Sequence, residues 1–260
     1  MTVDKETDVM CKSRRSLVTP LAILLGVACM MNPVAAQQGV SPAEEGQTVD
    51  VSNREELIAA VRAAVPGTTV RLSSGEYAGG LSFDGLRGTR ARPIVIEARD
   101  AARPPEIVGG GSGIHLRAPA YVQLRGLVLR NASGNGLNID DGGNAGEPAR
   151  GIHLSGIQVR DVGPKGNHDG IKLSGLSDFV VEDCVIERWG ESGSAVDMVG
   201  CHAGEVRGCQ FRYRGDIFGN GVQTKGGSAR HQHSSLPVRE RGWSRGEHRR
   251  EHGAGLLSTA

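Results

Sequence analysis

Three charged residues occupy matching places in a phrase that recurs through this 260-residue chain: Lys172 in GIKLS, Asp197 in AVDMV and Lys225, two residues further along, in GVQTK. Asn138 in GLNID and Gln223 fill the Lys172 and Asp197 place in neighbouring copies. A lysine so positioned can neutralise a substrate carboxylate, or accept a proton where its surroundings hold it deprotonated. With an aspartate at the equivalent place of the next copy, it can equally form a cross-strand ion pair, worth about 0–1 kcal/mol at a surface. Asn167-His168-Asp169-Gly170 adds a carboxylate able to activate water or protonate a leaving oxygen. Asp140 and Asp141, one copy earlier, could take a cation such as calcium together with Asp169, Asp197 or Asp216, or could bound a turn. Lys225 and Lys172 are therefore the candidate reactive groups. Asn138, His168, Asp169, Asp197, Gln223 and Arg214 are candidate substrate contacts, and Asp140 and Asp141 the candidate metal ligands.

The repeat itself must position these groups. Aligning the first apolar residue of each phrase gives Leu137, Ile171, Val196 and Val222, separated by 34, 25 and 26 residues. A period of about 25 residues signals stacked coils. A second phrase runs in step: VQLRGLVLRN from Val122, IHLSGIQVRD from Ile152, FVVEDCVIER from Phe179 and EVRGCQFRYR from Glu205, centred on Leu127, Ile157, Cys184 and Cys209. Two alternating segments of strand length per repeat, joined by Gly, Asn, Asp and Pro, predict two strands per turn and no helical period. A hairpin sandwich would not keep equivalent residues in register at this spacing. The pattern predicts an all-β, right-handed parallel β-helix, in which strands lie about 4.8 Å apart and inward residues stack coil on coil. Ile114, Leu137, Ile171, Val196 and Val222 then point inward, and Asn138, Lys172, Asp197 and Gln223 outward. The longer first step implies an insertion, GGNAGEPAR at Gly142 to Arg150, looping out beside a groove.

Composition is that of a water-soluble chain, 38% apolar and 23% charged with net charge +1, and gives no support for a nucleic-acid partner. Thirty-nine glycines and 3% aromatics suit a β-solenoid better than an α/β enzyme. Lys12, Arg14 and Arg15 precede the apolar run LVTPLAILLGVACMM, and Val34-Ala35-Ala36 follow it, which reads as a signal peptide over 1–36. The expected product is secreted or periplasmic, without membrane attachment after cleavage; Thr19 and Pro20 inside so short a run argue against an anchor. Residues 37–47 read as a polar tether and 48–228 as the solenoid. Ser52-Asn53-Arg54-Glu55 has capping-box spacing, and Leu57, Ile58, Val61 and Val65 follow on one helical face before Pro66-Gly67. Such a short N-terminal helix can cap the first coil. Thr69 to Tyr77, Leu81 to Phe83 and Pro93 to Glu97 read as the first strands.

The segment VSNREELIAAVRAAVPGTTVRLSSGEY from Val51 resembles the opening of the chondroitinase B and alginate lyase type of polysaccharide lyases, and the coils after it resemble the broader pectate-lyase-like β-helix superfamily. The resemblance spans residues 48–228. It implies an acidic polysaccharide as partner and β-elimination as the reaction: the proton beside a uronate carboxylate is removed and the 4-linked oxygen expelled. It places Lys225 near the family's catalytic lysine, with Lys172 as a carboxylate-neutralising cation, and admits calcium as a cofactor. The family's arginine on the next coil has no counterpart before Gly227. Asn167 to Gly170 resembles, more distantly, the NTDG phrase of β-helix polygalacturonases, with His168 in place of Thr. A third reading, a non-catalytic carbohydrate-binding or structural β-helix, needs only the groove; Trp189, Tyr213 and Phe218 are the few aromatics near it.

After Gly227 alternation ceases, and residues 229–260 hold four of the eight histidines. With suitable synonymous codons, a one-nucleotide shift restores a cysteine and a valine in step with Cys209 and Val222. The tail is accordingly expected to be frameshifted and disordered, and the solenoid truncated: monomeric if intact, aggregation-prone with its last coil open. Cys184 and Cys209 share an inward column within disulfide reach, read as a ladder of buried thiols, and Cys201 lies at a turn.

Overall fold

The structure is a computed structural model that describes residues 46–144, 146–213 and 219–234, the last four by their backbone only. Strand β1 (Thr48–Val51) and helix α1 (Arg54–Arg62) open it. Coil one follows as β2 (Thr69–Leu72), β3 (Glu76–Ala78) and β4 (Leu81–Asp84), and coil two as β5 (Ile94–Ala98), β6 (Glu106–Val108) and β7 (Ile114–Arg117). Coil three is β8 (Val122–Arg125), β9 (Val128–Arg130) and β10 (Leu137–Asp140); coil four is β11 (Ala149–Ser155), β12 (Gln158–Arg160) and β13 (Ile171–Ser174). Coil five is β14 (Leu176–Glu182), β15 (Val185–Glu187) and β16 (Ser194–Val199); coil six is β17 (His202–Arg207), β18 (Gln210–Arg212) and β19 (Asn220–Lys225), before β20 (Ala229–Ser234). Every named pairing is parallel, and the strands form three sheets: β1-β2-β5-β8-β11-β14-β17-β20, β3-β6-β9-β12-β15-β18 and β4-β7-β10-β13-β16-β19. This is the expected parallel β-helix.

Each coil holds three strands, not the two that the phrases suggested. In VQLRGLVLRN the residues of the central core are Val122 and Leu124, then Leu127 and Leu129, so the period of two slips by one at Gly126; Val128 is buried as well, outside that core. Gly126 has φ +64° and turns the chain through a corner, as Gly156, Asp183 and Gly208 do in later coils. Thr69 to Tyr77 splits in the same way, at Ser73 to Gly75, into β2 and β3. The in-register pairs Leu137↔Ile171, Ile171↔Val196 and Val196↔Val222 reproduce the inward column read from the sequence. Ile114, Leu137, Ile171 and Val196 are buried; Val222 is only partly covered, on the last strand of its sheet. Loop 141–148 absorbs most of the long first step, as expected, and loop 161–170 the remainder.

Helix α1 starts one residue later than its predicted cap. Asn53 is the N-cap, its Oδ1 accepting from the Glu56 amide at 2.9 Å, while Glu56 Oε2 accepts from the Ser52 amide at 2.8 Å and the Ser52 hydroxyl at 2.9 Å. This box of Asn53 and Glu56 turns Leu57 and Val61 into the core beside β1, β2 and β4. The helix ends at Arg62, so Val65 lies beyond it and is exposed. At the far end β20 pairs with β17, placing His231 and His233 in register with Gly204 and Val206. Strand pairing uses backbone groups and needs no apolar side chain to form. The signal peptide expected over 1–36, the expected tether as far as residue 45, and residues 235–260 lie outside the described residues.

The outer face of the β1 to β20 sheet carries charge networks. Glu182 takes the Arg207 guanidinium at 2.8 Å and His153 Nε2 at 2.6 Å, and the Arg207 hydrogen bond, outweighing burial, holds the Glu182 carboxyl below its ordinary pKa. That depressed value contributes stability above the ordinary 4.5, which is lost as pH falls through the lower folded-state value. Glu182→Gln should therefore cost about 1 kcal/mol or less at neutral pH, with the gap to the unmutated protein closing in acid; urea unfolding at several pH values measures both. Leu154→Ala, in the buried centre of the same sheet, should cost about 2–5 kcal/mol in the same assay.

Candidate functional site

The outward face of the β4-β7-β10-β13-β16-β19 sheet presents two rows of side chains, one residue per strand. The first is Ser82, His115, Asn138, Lys172, Asp197 and Gln223; the second, two residues along, is Asp84, Arg117, Asp140, Ser174, Val199 and Lys225. Alternation fixes both rows, since Ile171 and Leu173 on β13 and Val196 and Met198 on β16 are buried on the opposite side.

Four of the sequence-predicted residues converge here. Lys172 Nζ bridges Asp197 Oδ2 and Asp169 Oδ2, the latter at 3.2 Å, and Lys225 Nζ reaches Asp197 Oδ2 at 3.0 Å. Asp197 is wholly buried and Asp169 is 2% exposed, whereas the lysines keep 27% and 39% of their side-chain surface. Asp169 is further fixed by the Ser194 amide, which donates to its Oδ1 at 2.8 Å, and by its own amide, which donates to Asn135 Oδ1 at 2.8 Å. Ser194 in turn donates to Gln223 Oε1 at 3.2 Å. Among the described residues Asp197 Oδ1 is buried without a hydrogen-bond donor.

The cluster is electrically closed, two ammonium groups against two carboxylates. Burial pulls the Lys172 pKa down, but the hydrogen bond to Asp197 and the charges of Asp169 and Asp197 together outweigh it and raise the value. Lys172 is thus held as a cation. Burial raises the Asp169 pKa, against the lowering effect of the Ser194 amide and Lys172. Sequence allowed a surface ion pair between Lys172 and Asp197; the structure buries its acid and shares it with Lys225, so removing Lys172 leaves that desolvated anion one lysine instead of two.

The remaining candidates separate. Asn138 stands between His115 and Lys172 in the first row. His168 is half-buried in loop 161–170, its side chain against Gly163 and its carbonyl accepting from Gly190 at 3.1 Å. Arg214, Asp216 and Phe218 lie outside the described residues. Trp189 is buried and meets Tyr213 edge to face at 5.1 Å, so it forms part of a wall and not an open stacking platform. Asp140 and Asp141 close turns, accepting from the amides of Gly142 and Gly143 at 2.8 Å. His115 Nε2 lies 2.6 Å from Asp140 Oδ2. Among the described residues no three His, Cys, Asp or Glu side chains converge as metal ligands. The carboxylates of this face lie against lysines, His115, Arg117 or turn amides.

His115 was missed by the sequence reading. The signal for it was the alternation of IHLR, which sets it in the same row as Asn138. At the β4 end of the rows, a cavity of about 490 Å³ is bordered by Arg62, Val65, Ser82, Asp84 and Arg87.

Fold and face together define a parallel β-helix with a charged, partly buried cluster on one sheet. Among solved structures the chain is similar to an alginate lyase from Paenibacillus sp. str. FPU-7, with 17% identity and a TM-score of 0.51 over 69% of this chain and 75% of that one. It also matches a rhamnogalacturonan lyase (14% identity, TM-score 0.45, 70% of this chain and 62% of that one) and the PL6 family alginate lyase AlyGC (12%, 0.43, 64% and 26%). The chain therefore spans less than two thirds of the latter two. At these identities the likeness is one of fold. No family model matches the sequence, and no curated protein does.

Lys172→Met should lower the unfolding free energy by about 3 kcal/mol, by taking from buried Asp169 its lysine and from Asp197 one of its two. Adding Asp197→Leu, which removes the second acid beside Asp169, should recover part of that loss, which denaturant unfolding of both single variants and the double variant would show.

Proposed function

We propose that this protein is exported and binds an acidic polysaccharide along the outward face of the β4 to β19 sheet, acting on it as a lyase. The carrying observation is the convergence of Lys172 and Lys225 on Asp197 in the middle of that face. In this reading Lys172, kept cationic by its two acids, neutralises a uronate carboxylate and so acidifies the neighbouring C–H. Lys225, the more exposed lysine, acts as its free amine: once substrate displaces it from Asp197 its ammonium proton passes to solvent, the amine takes the uronate C–H proton, and water protonates the 4-linked oxygen as it leaves. Asn138 and Gln223 flank the cluster and hydrogen-bond sugar hydroxyls. The fold-level likeness to an alginate lyase supports the substrate class.

A second reading, a carbohydrate-binding β-helix without catalysis, is favoured by the same closed cluster, because both lysines already have carboxylate partners. One experiment separates them. The protein is mixed with alginate, pectate or chondroitin, with and without calcium, while the ultraviolet absorbance of unsaturated uronate products is followed alongside polymer binding. The lyase reading expects product formation that falls about 100-fold or more in Lys225→Ala with binding retained. Binding without product establishes the second reading, and neither binding nor product overturns both.

A further inference from the structure

The corner column Leu127, Ile157, Cys184 and Cys209 ends in two thiols on consecutive coils, both fully buried. The flanking pairs Glu182↔Arg207 and Val185↔Gln210 set Cys184 opposite Cys209, and the Gln210 amide donates to the Cys184 carbonyl at 2.8 Å. Neighbouring parallel strands lie about 4.8 Å apart, within the roughly 4.4–6.8 Å between Cα atoms that a disulfide spans. Each thiol donates to a backbone carbonyl, Cys184 Sγ to Glu182 at 3.2 Å and Cys209 Sγ to Arg207 at 3.3 Å, and the neighbouring Cys184 side chain lowers the pKa of the Cys209 thiol. Cys201 sits at another corner, next to Leu176 in register, with its sulfur 3.5 Å from the Leu173 and Val199 carbonyls.

We propose that Cys184 and Cys209 are a site of covalent cross-linking between the fifth and sixth coils under oxidising conditions. With oxidised glutathione as the acceptor, the Cys209 thiolate attacks one glutathione sulfur and releases one reduced glutathione. The Cys184 thiolate then displaces the second glutathione from the mixed disulfide, so two thiol protons and two electrons leave the protein. The bond closes a 25-residue segment that includes β16 with Asp197, and ties it to the coil whose β19 carries Lys225. Oxidation thereby fastens the two halves of the charged cluster without touching its chemistry.

The test uses the full chain, incubated with oxidised glutathione in urea below the unfolding midpoint so that local opening admits the reagent, then denatured, alkylated and peptide-mapped. The expected result is a cross-linked peptide joining Cys184 and Cys209, with Cys201 alkylated. The melting midpoint should rise by about 5 °C or more over the reduced protein and return on reduction. Cys201→Ala should keep both effects and Cys209→Ala lose both. Thiols that stay fully alkylatable, or that end as separate glutathione adducts, overturn the proposal.

Discussion

Each coil of this protein buries its inward residues only because the next coil repeats its register. Leu137 stacks on Ile171 and Ile171 on Val196, and a slip of one residue would turn that whole column to solvent. The same register orders the outside. Because side chains alternate across a strand, fixing Ile171 over Val196 also fixes Lys172 over Asp197, so core packing and the charged face are two consequences of one constraint. The corners of coils three to six obey it too, with Gly126, Gly156, Asp183 and Gly208 all at positive φ so that these coils turn at the same point.

The face built in this way is unusual in where it keeps its charge. Asp197 is sealed beneath two lysines and Asp169 is nearly as buried, an arrangement that is stable only while the opposing charges remain together. That closure holds Lys172 as a cation and gives the site no net charge of its own, so an anionic ligand must compete with Asp197 for Lys225. The outer networks of the neighbouring sheets, such as Arg130 with Glu106 and Arg188 with Asp161, leave their groups partly exposed and have no comparable sealed acid.

Much of this was legible beforehand, and for a definite reason. Recurrence of GLNID, GIKLS, AVDMV and GVQTK encodes register directly, so the inward column, the outward row and loop 141–148 all followed from counting residues. The third strand per coil was also written in the sequence, as the one-residue slip between Leu124 and Leu127, but VQLRGLVLRN reads as one alternating strand running through Gly126. The helix cap was misplaced by one residue because Ser52 and Asn53 both suit an N-cap, and only the burial of Leu57 and Val61 against the first coil chose between them.

The sequence alone determined the parallel β-helix, the faces of its strands and the alignment of Lys172 with Asp197, since these depend on spacing, and spacing survives without coordinates. Tertiary structure decided how deeply those groups are buried. That Asp197 is inaccessible, that Asp169 reaches round from loop 161–170 to share Lys172, and that Lys225 bends back to the same oxygen are matters of desolvation and side-chain reach. Both depend on what packs above and beside a residue, and no periodicity records that. The same holds for Asp140, which the structure sets against His115 and a turn amide.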